Sequence, residues 1–245
     1  MNLPPTAVII GASSGIGAAL AREFARKGLR LALVSRRKEL LDQLAQELKP
    51  TEVRSYVHDV TNYAEAPVLW RQILQDFGRV DIVVYNAGIM LPVGLDEYDF
   101  EIDKHMVEVN VLGAMAWLDP VALTFGKLGR GHIIGISSVA GDRGRVGAPG
   151  YNTTKAALST YLEALRNRLT RRGVHVLTVK PGFVDTDMLK NSPRTFWVIQ
   201  PEQAARDVVQ AIRQRAQVVY TPARWGLLMS VIRHIPSVIF RRLKI

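Results

Sequence analysis

The chain has 245 residues, 48% hydrophobic and 22% charged, with 32 Lys and Arg against 22 Asp and Glu for a formal net charge of +10. This fits a globular protein with a sizeable core, and the lack of any cysteine excludes disulfides and thiolate metal sites. The basic balance favours anionic partners (phosphorylated cofactors, acidic lipids or nucleic acid), but no zinc-finger spacing or aromatic-studded basic motif singles out nucleic acid, and none is expected as a partner.

Met1-Asn2-Leu3-Pro4-Pro5 leads straight into an apolar run, without the basic and hydrophobic regions of a secretory signal. No stretch holds the roughly 18 to 20 consecutive apolar residues of a membrane span, and a cytoplasmic location is expected. Thr6 to Ile10 reads as a strand, followed at once by Gly11-Ala12-Ser13-Ser14-Gly15-Ile16-Gly17 and a helical pattern through Ile16, Leu20 and Phe24 that closes at Lys27-Gly28. Strand, glycine turn and helix together form a phosphate cradle of backbone N–H groups at a helix N-terminus. Gly11 serves the turn, Gly15 a close ligand approach and Gly17 helix-strand packing; the competing reading is a tight connection with no ligand.

Leu29 to Val34 predicts a second buried strand, ending at Ser35-Arg36-Arg37. In a dinucleotide fold an acid here would bond the ribose 2′-hydroxyl, whereas an arginine accommodates a 2′-phosphate. With no acid present, Arg36 points to NADP(H) over NAD(H); otherwise the two arginines simply begin the next helix. Residues 37–48 predict an amphipathic helix through Leu40, Leu41, Leu44 and Leu48. A third strand, Val53 to Val57, ends at His58-Asp59-Val60, where Asp59 either holds an adenine amino group or caps a helix beginning near Thr61-Asn62. A helix from about Ala64 to Phe77 ends at Gly78, and Val80 to Tyr85 predicts a doubly covered strand running into Asn86-Ala87-Gly88.

After a looser segment, Ile89 to Asp99, a helix of about 20 residues carries Asn110 among Val109, Val111 and Leu112. A mid-helix asparagine in apolar company needs partners, and either a kink or a held water accounts for it. His132 to Ile136 predicts the fifth strand, ending in Ser137-Ser138, before a Gly- and Arg-rich stretch from Val139 to Gly150. Arg143 and Arg145 there either attract an anionic group or belong to a solvated loop. Tyr151-Asn152-Thr153-Thr154-Lys155 then opens a helix to about Arg172. Four residues apart, Tyr151 and Lys155 share a face, and a cation beside the phenol would lower a pKa that starts near 10 toward neutrality. The sixth strand, Val174 to Val179, is expected to break at Lys180-Pro181-Gly182, and a loop to Gln200 carries Val184, Thr186 and Asp187. A helix after Pro201 and a short strand, Val218 to Tyr220, complete the alternation. The prediction is a single α/β domain over 1–220: a three-layer, doubly wound parallel sheet (Rossmann fold) of about seven strands flanked by helices.

Residues 221–245 form a distinct basic, amphipathic extension. Trp225, Leu228, Met229 and Ile232 recur at helical spacing, with Arg224, Arg233, Arg241, Arg242 and Lys244 and no acid. Three placements are open: across the active-site mouth of the same subunit, against a partner subunit, or on a membrane surface.

The motifs in order (Gly11-x-x-x-Gly15-x-Gly17, Asn86-Ala87-Gly88, Asn110, Ser138, Tyr151-x-x-x-Lys155 and Pro181-Gly182) resemble those of the short-chain dehydrogenase/reductase family, from Thr6 to about Tyr220. The resemblance implies that Ser138 polarises a substrate carbonyl, Tyr151 transfers the proton, Lys155 lowers its pKa and contacts the nicotinamide ribose, and Asn110 holds a water linking Lys155 to solvent. It implies an NADP(H) site formed by Gly11, Ser13, Ser14, Gly15, Ile16, Gly17, Ser35, Arg36, Arg37, Asp59, Val60, Asn86, Ala87, Gly88, Tyr151, Lys155, Pro181, Gly182, Val184 and Thr186, the last on the nicotinamide carboxamide. Some NADP-type members carry a basic residue before the second glycine, where this chain has Ser14. No metal is implied. The expected activity is interconversion of a carbonyl and an alcohol in a homo-oligomer, on an apolar substrate suggested by Met90, Leu91, Phe183, Met188, Leu189, Phe196 and Trp197. The rival is a non-catalytic NADP(H) sensor on the same fold.

Overall fold

The computed structural model describes residues 3–192 and 195–243; Met1, Asn2 and Lys244, discussed above, lie outside them. Strands β1 (Thr6–Ile10), β2 (Arg30–Ser35), β3 (Val53–Val57), β4 (Ile82–Tyr85), β5 (His132–Ile136), β6 (His175–Pro181) and β7 (Val218–Thr221) form one parallel sheet in the order β3-β2-β1-β4-β5-β6-β7. Parallel strands need crossovers, and helices α1 (Gly15–Arg26), α2 (Lys38–Glu47), α3 (Ala66–Phe77), α4 (Phe100–Val107), α5 (Gly113–Leu128), α6 (Pro149–Leu169) and α7 (Pro201–Arg213) lie within them.

Alternate residues of each strand face opposite layers. Val8, Ile10, Val34, Val83 and Ile133 pack with Trp70, Phe77, Trp117, Phe125 and Leu162 of α3, α5 and α6. Ile9, Leu31, Leu33, Val84, Ile134 and Leu177 pack with Leu20, Phe24, Leu41, Val208 and Ile212 of α1, α2 and α7. The chain leaves β1 toward β2 on one side and returns to β4 on the other, the switch point that opens a crevice at the carboxyl ends of the strands.

Three expectations need correcting. No helix begins at Thr61-Asn62: Asp59 Oδ1 accepts from Thr61 N at 3.0 Å and Thr61 Oγ1 at 2.8 Å in a turn, and α3 starts at Ala66. The helix around Asn110 is longer than foreseen, running from Phe100 to Leu128 with a π-helical turn at Glu108–Leu112. Its 29 residues could span a membrane by length and composition, but Met106, Val109, Trp117, Leu118, Val121 and Phe125 are buried inside the protein. The sixth strand does not break at Lys180. It pairs with β7 through Pro181↔Thr221, and Gly182 N donates to Thr221 O at 3.0 Å. β5 ends at Ile136, opposite Val179, so the N–H that Pro181 lacks would face no strand neighbour.

The extension forms α8 (Arg224–His234) and α9 (Ser237–Phe240). Trp225 and Met229 are buried with Val139, and Phe183, Tyr220, Leu228 and Ile232 pack around them. The apolar stripe foreseen from spacing therefore covers its own chain, beside the loops that follow β5 and β6.

Candidate active site

β1 hands the chain to α1 through Gly11, at φ +87°, and Gly15, at φ +54°, backbone conformations that side chains disfavour. A Cβ on Gly17 would run into the Gly11 carbonyl, which also accepts from Asn86 Nδ2 at 2.7 Å. Thus the Asn86-Ala87-Gly88 turn after β4 locks the glycine loop. At the end of β2, Ser35 Oγ donates to Ser13 Oγ at 2.8 Å. Arg37 reaches back over the loop, donating to Ser13 Oγ at 3.0 and 2.7 Å and to Ser14 Oγ at 2.6 Å. Arg36 turns the other way and pairs with Asp59 at 3.2 Å. Of the two arginines, Arg37 is the one seated on the glycine loop.

Ser138 follows β5 in extended backbone, its Oγ accepting from Ala140 N at 3.0 Å. Tyr151 stands in the first turn of α6 and Lys155 one turn on, both buried. Ser137, to which the sequence reading gave no role, ties this helix to β5: its hydroxyl donates to Lys155 O at 2.9 Å and contacts Ser159 Oγ at 2.7 Å. Lys155 Nζ donates to Ile136 O at 3.0 Å and sits 5.7 Å from the Tyr151 ring centroid.

The electrostatics differ from the expected lowering of the phenol by Lys155. Burial raises the Tyr151 pKa, and the opposing pulls come from the Ser138 hydroxyl and the Arg145 guanidinium. Burial also pushes the Lys155 ammonium down to about 8. Desolvation disfavours the charged form of both groups, and a lysine over the ring face, bonded to a carbonyl, does not address the phenol oxygen.

Asn110 is fully buried. Its amide accepts from Ile89 N at 2.8 Å and donates to Ile89 O at 2.9 Å and Thr154 Oγ1 at 3.0 Å. Through these bonds its side chain clamps the segment following Gly88 to α6. A Cβ added to Gly88 would lie 3.2 Å from both Asn110 Oδ1 and Lys155 Nζ.

These parts surround one cavity of about 540 Å³. Of the residues named from the sequence for catalysis or cofactor binding, all line it except Gly17 and Asn110, which stand behind its wall. Ser13, Ser14 and Arg37 sit on the glycine-loop side and Ser138, Tyr151 and Lys155 at the β5–α6 side, with Gly182, Val184 and Thr186 also on the wall. Arg145, for which the sequence left two readings, also lines it, whereas Arg143 is spent on the end of α8. Sequence spacing alone held no signal separating the two. No group of three or more His, Asp or Glu able to hold a metal occurs among the described residues.

The profile of the family described as short chain dehydrogenase matches residues 5–196. The chain belongs to the short chain dehydrogenase family. Its family and its relatives place it among the oxidoreductases. It is 31% identical over 213 residues to an uncharacterized oxidoreductase of Staphylococcus haemolyticus, an alignment covering 86% of this chain and 92% of that one. Among solved structures it is similar to a short-chain dehydrogenase from Sphingobium yanoikuyae in complex with NADPH (TM-score 0.81, 28% identity, 96% and 97% of the two chains). It is also similar to an alcohol dehydrogenase from the archaeon Thermococcus sibiricus complexed with 5-hydroxy-NADP (TM-score 0.79, 29% identity, 89% and 96%).

Proposed function

We propose that this short chain dehydrogenase interconverts a carbonyl and an alcohol with NADP(H) as cofactor. One observation carries the reading: a single cavity joins a phosphate-type glycine loop and two arginines to a buried Ser138–Tyr151–Lys155 cluster. The cradle fits a dinucleotide. Gly11 and Gly15 leave the backbone bare at two points of the loop, α1 has no acid in its first turn, and Arg37 and Arg36 offer cations at the end of β2. Two of the structurally similar enzymes are NADP-type complexes.

When bound, the nicotinamide would supply the hydride in reduction and accept it in oxidation. Ser138 donates a hydrogen bond to the substrate oxygen and so favours the charge that develops there. Tyr151, held protonated by burial, gives its phenolic proton to that oxygen in reduction and recovers it in oxidation. Lys155 adds positive charge over the ring face, while the Ser138 hydroxyl and the Arg145 guanidinium favour the phenolate formed in the transfer. Met90, Leu91, Phe183, Met188 and Leu189 line the cavity, which favours an apolar substrate body. The protein acts as a homo-oligomer in the cytoplasm, with the extension available for a membrane surface.

The test is NADPH oxidation at 340 nm with a panel of aldehydes and ketones. Turnover with at least one of them is expected, with NADPH preferred to NADH. NADPH binding without consumption across the panel would favour a sensor instead.

A further inference from the structure

Two arginines leave the loop between β5 and α6, and they have different fates. Arg143 Nη1 donates to the carbonyls of Ile232, Arg233 and Ile235 at 3.0, 2.9 and 2.6 Å, and its guanidinium lies 4.2 Å from the Phe240 ring centroid. Arg145 instead lines the cavity close enough to Tyr151 for the two groups to influence each other's charge. Its Nε is buried with no hydrogen-bond partner, and no carboxylate pairs with its guanidinium among the described residues.

An unpaired guanidinium is costly to hold in a partly desolvated wall, and burial pushes its pKa below the usual arginine range. The position is nevertheless firmly fixed. Asn152 Nδ2 donates to Gly147 O at 3.0 Å and to Arg145 O at 3.4 Å, and Ala148 adopts φ +51° where the loop enters α6. Side chains disfavour that conformation, so the loop is held against strain. The acids that share the cavity wall are already engaged: Asp59 by Arg36 and Thr61, and Asp187 by Lys190 at 2.8 Å. Arg36 and Arg37 are tied to Asp59 and to the serines of the glycine loop. Arg145 is thus the guanidinium without a fixed partner beside the phenol, around which Met90, Leu91 and Met188 also pack.

We propose that Arg145 binds a carboxylate on the substrate, so that the substrate class is an oxo or hydroxy acid with an apolar body. The planar guanidinium fork matches a carboxylate in two hydrogen bonds, and the ligand supplies the counter-charge that the protein withholds. The inference rests on the proposed carbonyl–alcohol function for the reacting end of the substrate, but carboxylate binding can be read without turnover.

Calorimetry on the full chain with saturating NADPH, comparing 4-phenylbutanoate with neutral 4-phenylbutanamide, provides the test. The acid is expected to bind the wild type ten- to a hundredfold more tightly than the amide, Arg145→Gln to bring the two together, and Arg145→Lys to keep most of the difference. Equal binding of acid and amide by the wild type overturns the proposal, as does a preference that survives in Arg145→Gln. A matching loss of NADPH affinity in Arg145→Gln would assign the side chain to the cofactor and also overturn it. Turnover is read separately with 4-oxo-4-phenylbutanoate and its methyl ester. A preserved carboxylate preference without NADPH oxidation by either compound or by any carbonyl of the panel would refute the proposed function and leave this inference standing.

Discussion

Arg36 and Arg37 are adjacent in sequence and opposite in position. The absence of an acid after β2 was legible in the sequence and points to a 2′-phosphate, but which arginine serves it depends on backbone direction at a turn. Arg37 N donates to Ser35 Oγ at 3.3 Å, and the Arg37 side chain crosses to Ser13 and Ser14, while Arg36 meets Asp59. Both substitutions to Asp should raise the KM for NADPH more than that for NADH, with Arg37→Asp the more severe, by about tenfold or more. Equal effects of either variant on the two cofactors would remove the 2′-phosphate from this corner. The Tyr151–Lys155 pair was legible for a simpler reason, since four residues on a helix fix a shared face. Its electrostatics were not legible: whether a buried lysine addresses a phenol oxygen, a ring face or a carbonyl depends on β5, which lies next to it only in the fold.

At the scale of elements, strands β1 to β5 and the helices between them follow from apolar runs and glycine stops; Gly78, for instance, ends α3 at φ +66°. The π-helical turn at Asn110 was foreseen only as an irregularity, because its cause is distant: Tyr85 Oη donates to Val109 O at 2.6 Å, and Asn110 spends its amide on Ile89 and Thr154. The docking of α8 likewise depends on non-local partners. Asp142 accepts from Tyr220 Oη at 2.7 Å and pairs with Lys180, and the next residue, Arg143, caps the end of α8. A cation at a helix C-terminus with several carbonyl bonds is worth about 1–2 kcal/mol. Arg143→Ala is therefore expected to lower stability in urea by about that amount and to speed proteolytic cleavage within residues 224–243. An unchanged cleavage rate would show that Arg143 does not fasten the extension.

For the whole molecule, the charge of +10 and the basic extension raise the question of a surface partner. The stripe of Trp225, Leu228, Met229 and Ile232 packs against its own chain and is not free to enter lipid. A second set is exposed: Leu227, Val231, Val238 and Ile239, with Arg224, Arg233, Arg241 and Arg242 and no acid in the extension. Apolar side chains among cations suit an anionic interface. The expected outcome is co-sedimentation with vesicles containing phosphatidylserine, weakened several-fold in Leu227→Ser/Val231→Ser, and none with neutral vesicles; equal sedimentation of wild type and variant would discard the membrane. The central claim concerns the cavity that unites the glycine loop with Tyr151, and its most direct test is Tyr151→Phe, which deletes one oxygen and leaves the cradle intact. With a carbonyl substrate that the wild type reduces, Tyr151→Phe should bind NADPH with unchanged affinity and lose turnover by about a hundredfold or more. Turnover equal to that of the wild type would contradict the assignment of the proton to Tyr151.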